Sequence, residues 1–145
     1  MVTSSPFVVV VGVDGSTESQ AALDWGVQEA LLRNGRVIVV ASWQIPYVSD
    51  AGGMAWDYAS FERDAQSILD DELRRVADAG VPVTGRLVEG NAAAALLDSS
   101  RGADLLVVGA RGLGGFTGML LGSVSSQLAH HAKCPLLIIR SGAGG

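Results

Sequence analysis

The sequence contains a single cysteine, Cys134, among its 145 residues. One thiol cannot form an internal disulfide, so disulfide bonds do not hold this domain together. Because Cys134 stands beside Pro135 at the start of an apolar run, we interpret it as a small buried side chain and not as a reactive thiol. Long hydrophobic runs are also missing. The longest apolar stretches have the length of a β-strand, which is too short for a membrane-spanning helix.

Positive charge is scarce as well. Ten Lys and Arg residues stand against fifteen Asp and Glu residues, and the net charge is −5 without any basic cluster. Nonspecific attraction to nucleic acid or to an anionic membrane surface is therefore not expected. The first eleven residues lack a basic region before the apolar run and a small-residue cleavage site after it, which predicts a cytoplasmic protein. The length predicts one domain over residues 1–145, structured from about residue 5 to about residue 141.

Apolar strand-like runs alternate with helical segments from end to end, which is typical of an α/β domain with a parallel sheet. Thr17 is expected to cap the first helix, with Gln20 completing a capping box, and Asn34 and Gly35 to end it. The charged face of the long second helix is expected to be solvated. The third strand follows Pro82 and carries polar residues, which favours an edge position. Predicted strands are 7–13, 37–41, 83–88, 104–108 and 135–139, and predicted helices are 17–33, a long helix whose clearest part is 67–80, 92–99 and 123–132. Right-handed crossovers divide these helices between both faces of the sheet.

A glycine-rich segment, GARGLGGFTGMLLGSVSS, follows the fourth strand. It fits the pattern G-x2-G-x9-G-S, in which Ser123 opens a helix directly after Gly122. The free amides and the positive dipole end of such a helix bind phosphate without Lys or Arg. We therefore assign Gly109, Gly112 and Gly122 to close approach of a phosphate-bearing ligand, and expect Ser123 and Ser125 to donate hydroxyl hydrogen bonds.

The same segment has a simpler interpretation, a flexible loop with Ser123 as an ordinary N-cap. One glycine fits that interpretation, but six do not. Arg111 either reaches a phosphate or only covers the loop, and Gly114, Gly115 and Gly118 are assigned to folding the loop around the site. Neither the P-loop motif nor the dinucleotide fingerprint fits these residues.

A second loop, VGVDGS, ends the first strand at Asp14 and Gly15. If the sheet reverses its winding between the first and fourth strands, this loop lies beside the glycine-rich segment, and Asp14 faces the glycines. In one interpretation Asp14 turns the chain by accepting hydrogen bonds from its own downstream amides. In the other it accepts hydrogen bonds from ribose hydroxyls or helps to hold a metal near phosphates. The residues of this loop are compatible with both interpretations.

Two further groups of side chains could have a functional role, namely a pair of histidines and an aromatic loop. His130 and His131 are adjacent on a helix and point about 100° apart, so one metal does not collect both, and we interpret them as a solvated face. The loop from Trp43 to Tyr58, which also contains Tyr47 and Trp56, either closes over a ligand or packs at the rim of the sheet. The residues as a whole favour binding over catalysis.

Three segments of the chain carry a resemblance to a known family: VGVDGS, DLLVVGARG running into GFTGMLLGSVS, and HHAKCPLLIIR. Through them the chain resembles the universal stress protein family over nearly its whole length, specifically the ATP-binding branch. The resemblance implies an open five-stranded parallel sheet of order 3-2-1-4-5, an adenine nucleotide α-hydrolase-like or Rossmann-like fold. It also implies a homodimer through the last strand, with Asp14 at the ribose or at Mg²⁺ and backbone at Ala41 beside the adenine. The ATP-binding residues expected from it are Gly12, Val13, Asp14, Gly15, Ala41, Gly109, Arg111, Gly112, Gly122, Ser123, Val124 and Ser125.

The leading prediction is an ATP-binding stress-response protein whose nucleotide occupancy sets a conformation that partners read, without dedicated catalysis. One alternative is a slow metal-dependent ATPase that uses Asp14 and Mg²⁺. The other is an interaction module of the same fold that binds no nucleotide.

Overall fold

The computed structural model describes residues 6–45, 58–112 and 121–140. Strands and helices alternate along these residues: β1 Val8–Gly12, α1 Thr17–Leu32, β2 Arg36–Trp43, α2 Tyr58–Arg75, β3 Val83–Glu89, α3 Ala92–Ser99, β4 Leu105–Gly109, α4 Ser123–His131 and β5 Leu136–Ile139. All five strands are parallel and lie in the order β3-β2-β1-β4-β5. The predicted α/β fold and strand order are confirmed.

The sheet reverses its winding between β1 and β4. Val10 of β1 lies opposite Ile38 of β2 on one side and opposite Leu106 of β4 on the other. Since the carboxyl ends of parallel strands share one edge of the sheet, the loop after β1 and the loop after β4 become neighbours. This is the juxtaposition of Asp14 with the glycine-rich segment that the sequence predicts.

The core has one apolar layer on each face of the sheet. Alternate residues of β1 point to opposite faces, so Val9 and Val11 pack with the α1 and α2 side, while Val10 joins the other side with Leu96 of α3 and Leu128 of α4. Val9, Val10 and Val11 are fully buried because helices cover both faces of the central strand. Cys134 is half-buried and packs against the second of these layers, so its predicted apolar role is supported but its full burial is not.

The cap of α1 differs from the prediction by one residue. Ser16 is the N-cap, with extended backbone angles, and its hydroxyl accepts the Ser19 N–H at 3.2 Å. The prediction of Thr17 as cap, with Gln20 completing a capping box, is wrong because the turn at Gly15, with φ of 86°, leaves Ser16 extended at the helix entrance. At the other end Asn34 has a positive φ of 53°, which ends the helix as expected.

Two predictions from the sequence concern β3 and α2. They are the edge position of the third strand and the solvated charged face of the long second helix. β3 lies at the edge of the sheet and its middle residues are exposed, as predicted. The charged face of α2 is only partly solvated, because Arg75 donates hydrogen bonds to Glu72 at 3.1 Å, to Asp24 of α1 at 2.8 Å and to the Gln20 carbonyl at 3.1 Å. The hydrogen bond with Glu72 is the main reason why the pKa of Arg75 is raised above its usual value. Arg75 therefore ties α2 to α1.

Arg75→Met is expected to lower the free energy of unfolding by about 2 kcal/mol. The substitution leaves the Glu72 carboxylate, which is 3% exposed, without its main cationic partner. A third of the Arg75 side chain is exposed, so solvent screening keeps the loss below that of a fully buried pair. Urea denaturation measures it. The matched control is Arg74→Met, which breaks only an exposed pair with Asp71 and should change stability by less than about 0.5 kcal/mol. Equal losses in the two variants would contradict the packing role of Arg75.

Candidate functional site

A cavity of about 450 Å³ lies at the carboxyl ends of β1, β2 and β4. This volume is in the range of small-molecule binding sites. Ten of the twelve predicted binding residues line it: Gly12, Val13, Asp14, Gly109, Arg111, Gly112, Gly122, Ser123, Val124 and Ser125. The structure thus brings two loops that are far apart in sequence to one cavity.

Two predicted residues, Gly15 and Ala41, are not among the lining residues. Ala41 is buried in the core on the α1 and α2 side, while its neighbours Val40 and Ser42 line the cavity. Strand alternation explains this, since residues on either side of Ala41 point to the opposite face. Gly15 sits in the turn before α1, close to Ile68. Sequence reasoning missed the apolar lining residues Val40, Ala92, Leu96 and Val108, together with Ser16, Ser19, Ser42 and Ala110.

The geometry of Asp14 confirms the predicted turn, and its role toward a ligand stays a prediction. Its Oδ1 accepts the Ser16 N–H at 3.0 Å, which forms the predicted turn, and its own N–H donates to Ser19 Oγ at 3.3 Å. Its Oδ2 lies against Gly112, where an added Cβ would collide with it. One carboxylate oxygen therefore shapes the loop while the other lies beside the glycine segment at the cavity.

The surroundings of the glycines in the G-x2-G-x9-G-S pattern differ, so the reason for a glycine is not the same at each position. A Cβ at Gly109 would lie 2.9 Å from the backbone carbon of Glu18, so this glycine lets α1 approach β4 closely. A Cβ at Gly122 would meet nothing closer than 3.4 Å, and its φ of −77° suits any residue. Packing therefore accounts for Gly109, which sequence reasoning assigned to the ligand, but does not account for Gly122. Gly114, Gly115 and Gly118 lie outside the described residues.

The N-cap residue of α4 is a glycine, which offers no side chain to the first turn of the helix. Ser16 caps α1 and Asn91 caps α3, each accepting an N–H of the first turn, at 3.2 and 3.1 Å. Gly122, the N-cap of α4, has no side chain to do so, and its own N–H donates to the Ala110 carbonyl at 2.6 Å. The amides of the first turn have no intrahelical partner and carry the positive end of the helix dipole. These amides belong to Ser123, Val124 and Ser125, which line the cavity.

The two serines at this end of α4 differ in what their hydroxyls do. Ser123 is exposed at the cavity. Ser125 is 2% exposed, and its hydroxyl donates to the Ala110 carbonyl at 2.6 Å. The expectation that the Ser125 hydroxyl donates to a phosphate therefore needs correction, because its proton is already used to join α4 to the end of β4. The backbone amide of Ser125 is not affected.

Arg111 forms an ion pair that the sequence does not predict. Its guanidinium donates to Glu18 Oε2 at 3.1 Å, and its backbone N–H donates to Glu18 Oε1 at 2.7 Å. Glu18 is 5% exposed although it stands in the first turn of α1. An acidic residue in a first turn normally signals only a favourable helix dipole, so no sequence pattern pointed to its burial.

The remaining predictions concern a metal site, a membrane span, the two histidines of α4 and the aromatic loop. Over residues 6–45, 58–112 and 121–140, no group of three or more His, Cys, Asp or Glu side chains is arranged to hold a metal ion. Within the same ranges, no helix has both the length and the apolarity to cross a bilayer. His130 and His131 are exposed, as expected. Tyr47 and Trp56 fall outside these ranges.

An open parallel sheet of order 3-2-1-4-5, with a cavity where its winding reverses, is the adenine nucleotide α-hydrolase fold of the Usp type. Residues 8–140 match the model of the universal stress protein family, and the chain belongs to that family. It is 37% identical over 136 residues to the universal stress protein Rv2005c of Mycobacterium tuberculosis, covering 91% of this chain and 45% of that protein. The chain therefore spans about half the length of the curated relatives it matches.

Solved structures show the same likeness. A universal stress protein in complex with cAMP is 32% identical, with a TM-score of 0.71 over 94% of this chain and 98% of that one. A family member from Arabidopsis thaliana with AMP bound is 21% identical, with a TM-score of 0.67 over 95% of this chain and 94% of that one. The second likeness shows the fold alone.

Proposed function

We propose that this domain binds an adenine nucleotide, ATP in the leading case, and acts as a nucleotide-dependent regulatory module of the stress response. The observation that carries the proposal is the N-terminus of α4, whose N-cap Gly122 has no capping side chain, at a cavity of about 450 Å³. The complex of a family member, 32% identical to this chain, with cAMP supports an adenine nucleotide as the ligand class. The proposal places the protein in the cytoplasm, where these nucleotides are available.

The lining of the cavity suggests how each part of the nucleotide is held. The base packs against Val40, Leu96 and Val108, which offer apolar surface. The ribose hydroxyls donate to Asp14, and the phosphates accept hydrogen bonds from the first-turn amides of α4. A protein of net charge −5 can hold an anion here because oriented backbone dipoles supply the attraction.

Titration calorimetry with AMP, cAMP and ATP, each with and without Mg²⁺, tests the proposal. We expect dissociation constants in the micromolar range, a binding free energy of about −8 kcal/mol. Adenosine is the matched control. It lacks the phosphate that the α4 amides bind and should bind about tenfold more weakly or worse. If none of these ligands binds, the proposal is wrong and the nucleotide-free interaction module is favoured.

Asp14→Asn is expected to remove the enhancement of ATP binding by Mg²⁺, which we place at about tenfold in the wild type. Asparagine keeps an oxygen that can accept the Ser16 N–H and so preserves the turn. It removes the charge that helps to hold the cation. Calorimetry on both proteins measures the ratio of affinities, and an unchanged ratio would show that the cation binds elsewhere. Phosphate release that disappears in this variant would instead favour the slow ATPase.

We also propose a homodimer through β5. This strand, Leu136–Ile139, is apolar and lies at the edge of the sheet, with three of its four residues only half-buried. An apolar edge strand is a template for pairing with a second copy. Sedimentation equilibrium distinguishes one chain from two, and a single-chain mass at micromolar concentration would contradict the dimer.

A further inference from the structure

Glu18 is a buried carboxylate that lies next to the cavity without lining it. It belongs to the first turn of α1, where α1 approaches β4 most closely. A Cβ at Gly109 would lie 2.9 Å from both the backbone carbon and the Cβ of Glu18. The absence of a side chain at Gly109 is therefore what brings Glu18 within reach of the segment that follows β4.

The carboxylate of Glu18 binds that segment at two points. Oε1 accepts the Arg111 backbone N–H at 2.7 Å, and Oε2 accepts the Arg111 guanidinium at 3.1 Å, from a residue 93 positions along the chain. Hydrogen bonds between a charged and a neutral group are among the stronger ones in proteins. Glu18 thus fixes both the backbone and the side chain of Arg111.

The preceding residue, Ala110, joins the same segment to α4. Its carbonyl accepts the Gly122 N–H at 2.6 Å and the Ser125 hydroxyl at 2.6 Å. A continuous set of hydrogen bonds therefore runs from Glu18 through Arg111 and Ala110 to the first turn of α4. The amides that would receive the phosphate are held in place by a carboxylate on a different helix.

We propose that Glu18 is a positioning residue for phosphate binding, which acts by holding the Ala110 to Arg111 peptide and, through it, the N-terminus of α4. This inference rests on the proposed function. The effect depends on the reach of the Glu18 side chain to the Arg111 N–H, and less on its charge, since a negative charge near a phosphate is in itself unfavourable.

Two variants separate reach from charge. Glu18→Asp keeps the charge but is one methylene shorter and cannot reach the Arg111 N–H. Glu18→Gln removes the charge but keeps the length and an oxygen acceptor. We expect calorimetry to show AMP binding about tenfold weaker in Glu18→Asp and rescued to within about threefold of the wild type in Glu18→Gln. Adenosine affinity should stay within about twofold in both, because a purely structural defect would weaken both ligands alike.

Each result bears on the inference separately. If Glu18→Asp binds AMP as tightly as the wild type, the inference is wrong. It is also wrong if a folded Glu18→Gln loses about tenfold in AMP affinity. The second variant therefore tests the inference even if Glu18→Asp does not fold. Circular dichroism checks the fold of each variant. Glu29→Asp is the matched control on α1, because its carboxylate pairs with Arg33 at 3.1 Å and neither residue lines the cavity, and it should bind AMP as the wild type does. If the wild type itself binds no AMP, the proposed function fails, which is a different outcome from failure of the inference.

Discussion

Gly122→Asp is expected to weaken AMP binding about a hundredfold while leaving the fold at least as stable as the wild type, a loss of about 2.7 kcal/mol in binding free energy. Gly122 has a φ of −77° and a ψ of 174°, which are the extended angles of an ordinary N-cap residue. An aspartate there can accept first-turn N–H groups of α4, as Ser16 and Asn91 do for α1 and α3. The carboxylate then occupies the amides that the phosphate needs and repels it.

Calorimetry gives the affinity and urea denaturation gives the stability of this variant. Gly122→Ser is the matched control, since it supplies a cap without a charge and should lose only about tenfold in affinity. An opposite change in stability and in binding is the distinctive result. If Gly122→Asp binds AMP as well as the wild type, the phosphate does not lie on the α4 amides, and the proposed geometry is wrong.

Gly109→Ala is expected to lower the free energy of unfolding by about 3 kcal/mol. The added Cβ would lie 2.9 Å from the backbone carbon of Glu18 and 3.1 Å from the Ser19 nitrogen, and a helix backbone cannot move away as a flexible side chain can. α1 must therefore shift from β4, which is part of the buried core.

The control for this prediction is the last glycine of the same pattern. In Gly122→Ala the Cβ meets nothing closer than 3.4 Å, so stability should change by less than about 1 kcal/mol. Urea denaturation of both variants measures the difference. Equal stability of Gly109→Ala and the wild type would show that α1 and β4 are not packed as closely as described.

The sequence predicts most of the fold because the central strands are buried on both faces and therefore read as unbroken apolar runs. The predicted strand 7–13 corresponds to β1 Val8–Gly12, and predicted helix 92–99 coincides with α3 Ala92–Ser99. The strand order is implied by the family resemblance, since alternation alone does not fix which strands are neighbours. The loops after β1 and β4 were predictable because both carry residues with special backbone requirements.

The rest of the site depends on contacts between residues that are distant in the sequence. Glu18 looks like an ordinary first-turn acid until Arg111 and Gly109 are brought to it by the sheet. Similarly, the use of the Ser125 hydroxyl depends on where the Ala110 carbonyl lies. The sequence predicts Thr17 as the N-cap of α1 where Ser16 is the N-cap, because serine and threonine are similar N-caps and the turn at Gly15 selects between them.

Ala110 is the point at which the cavity and the edge of the sheet meet. Its carbonyl accepts the Gly122 N–H at the start of α4, while its N–H donates to the Ile139 carbonyl at the end of β5, at 2.8 Å. Ala110 thus connects the proposed phosphate site with the proposed dimer strand, because it forms a hydrogen bond to each of them. If the proposed ligand on α4 displaces Ala110, the hydrogen bond to Ile139 couples that displacement to β5, so a second copy in the proposed dimer would respond to the occupancy of the cavity without a moving domain or a hinge.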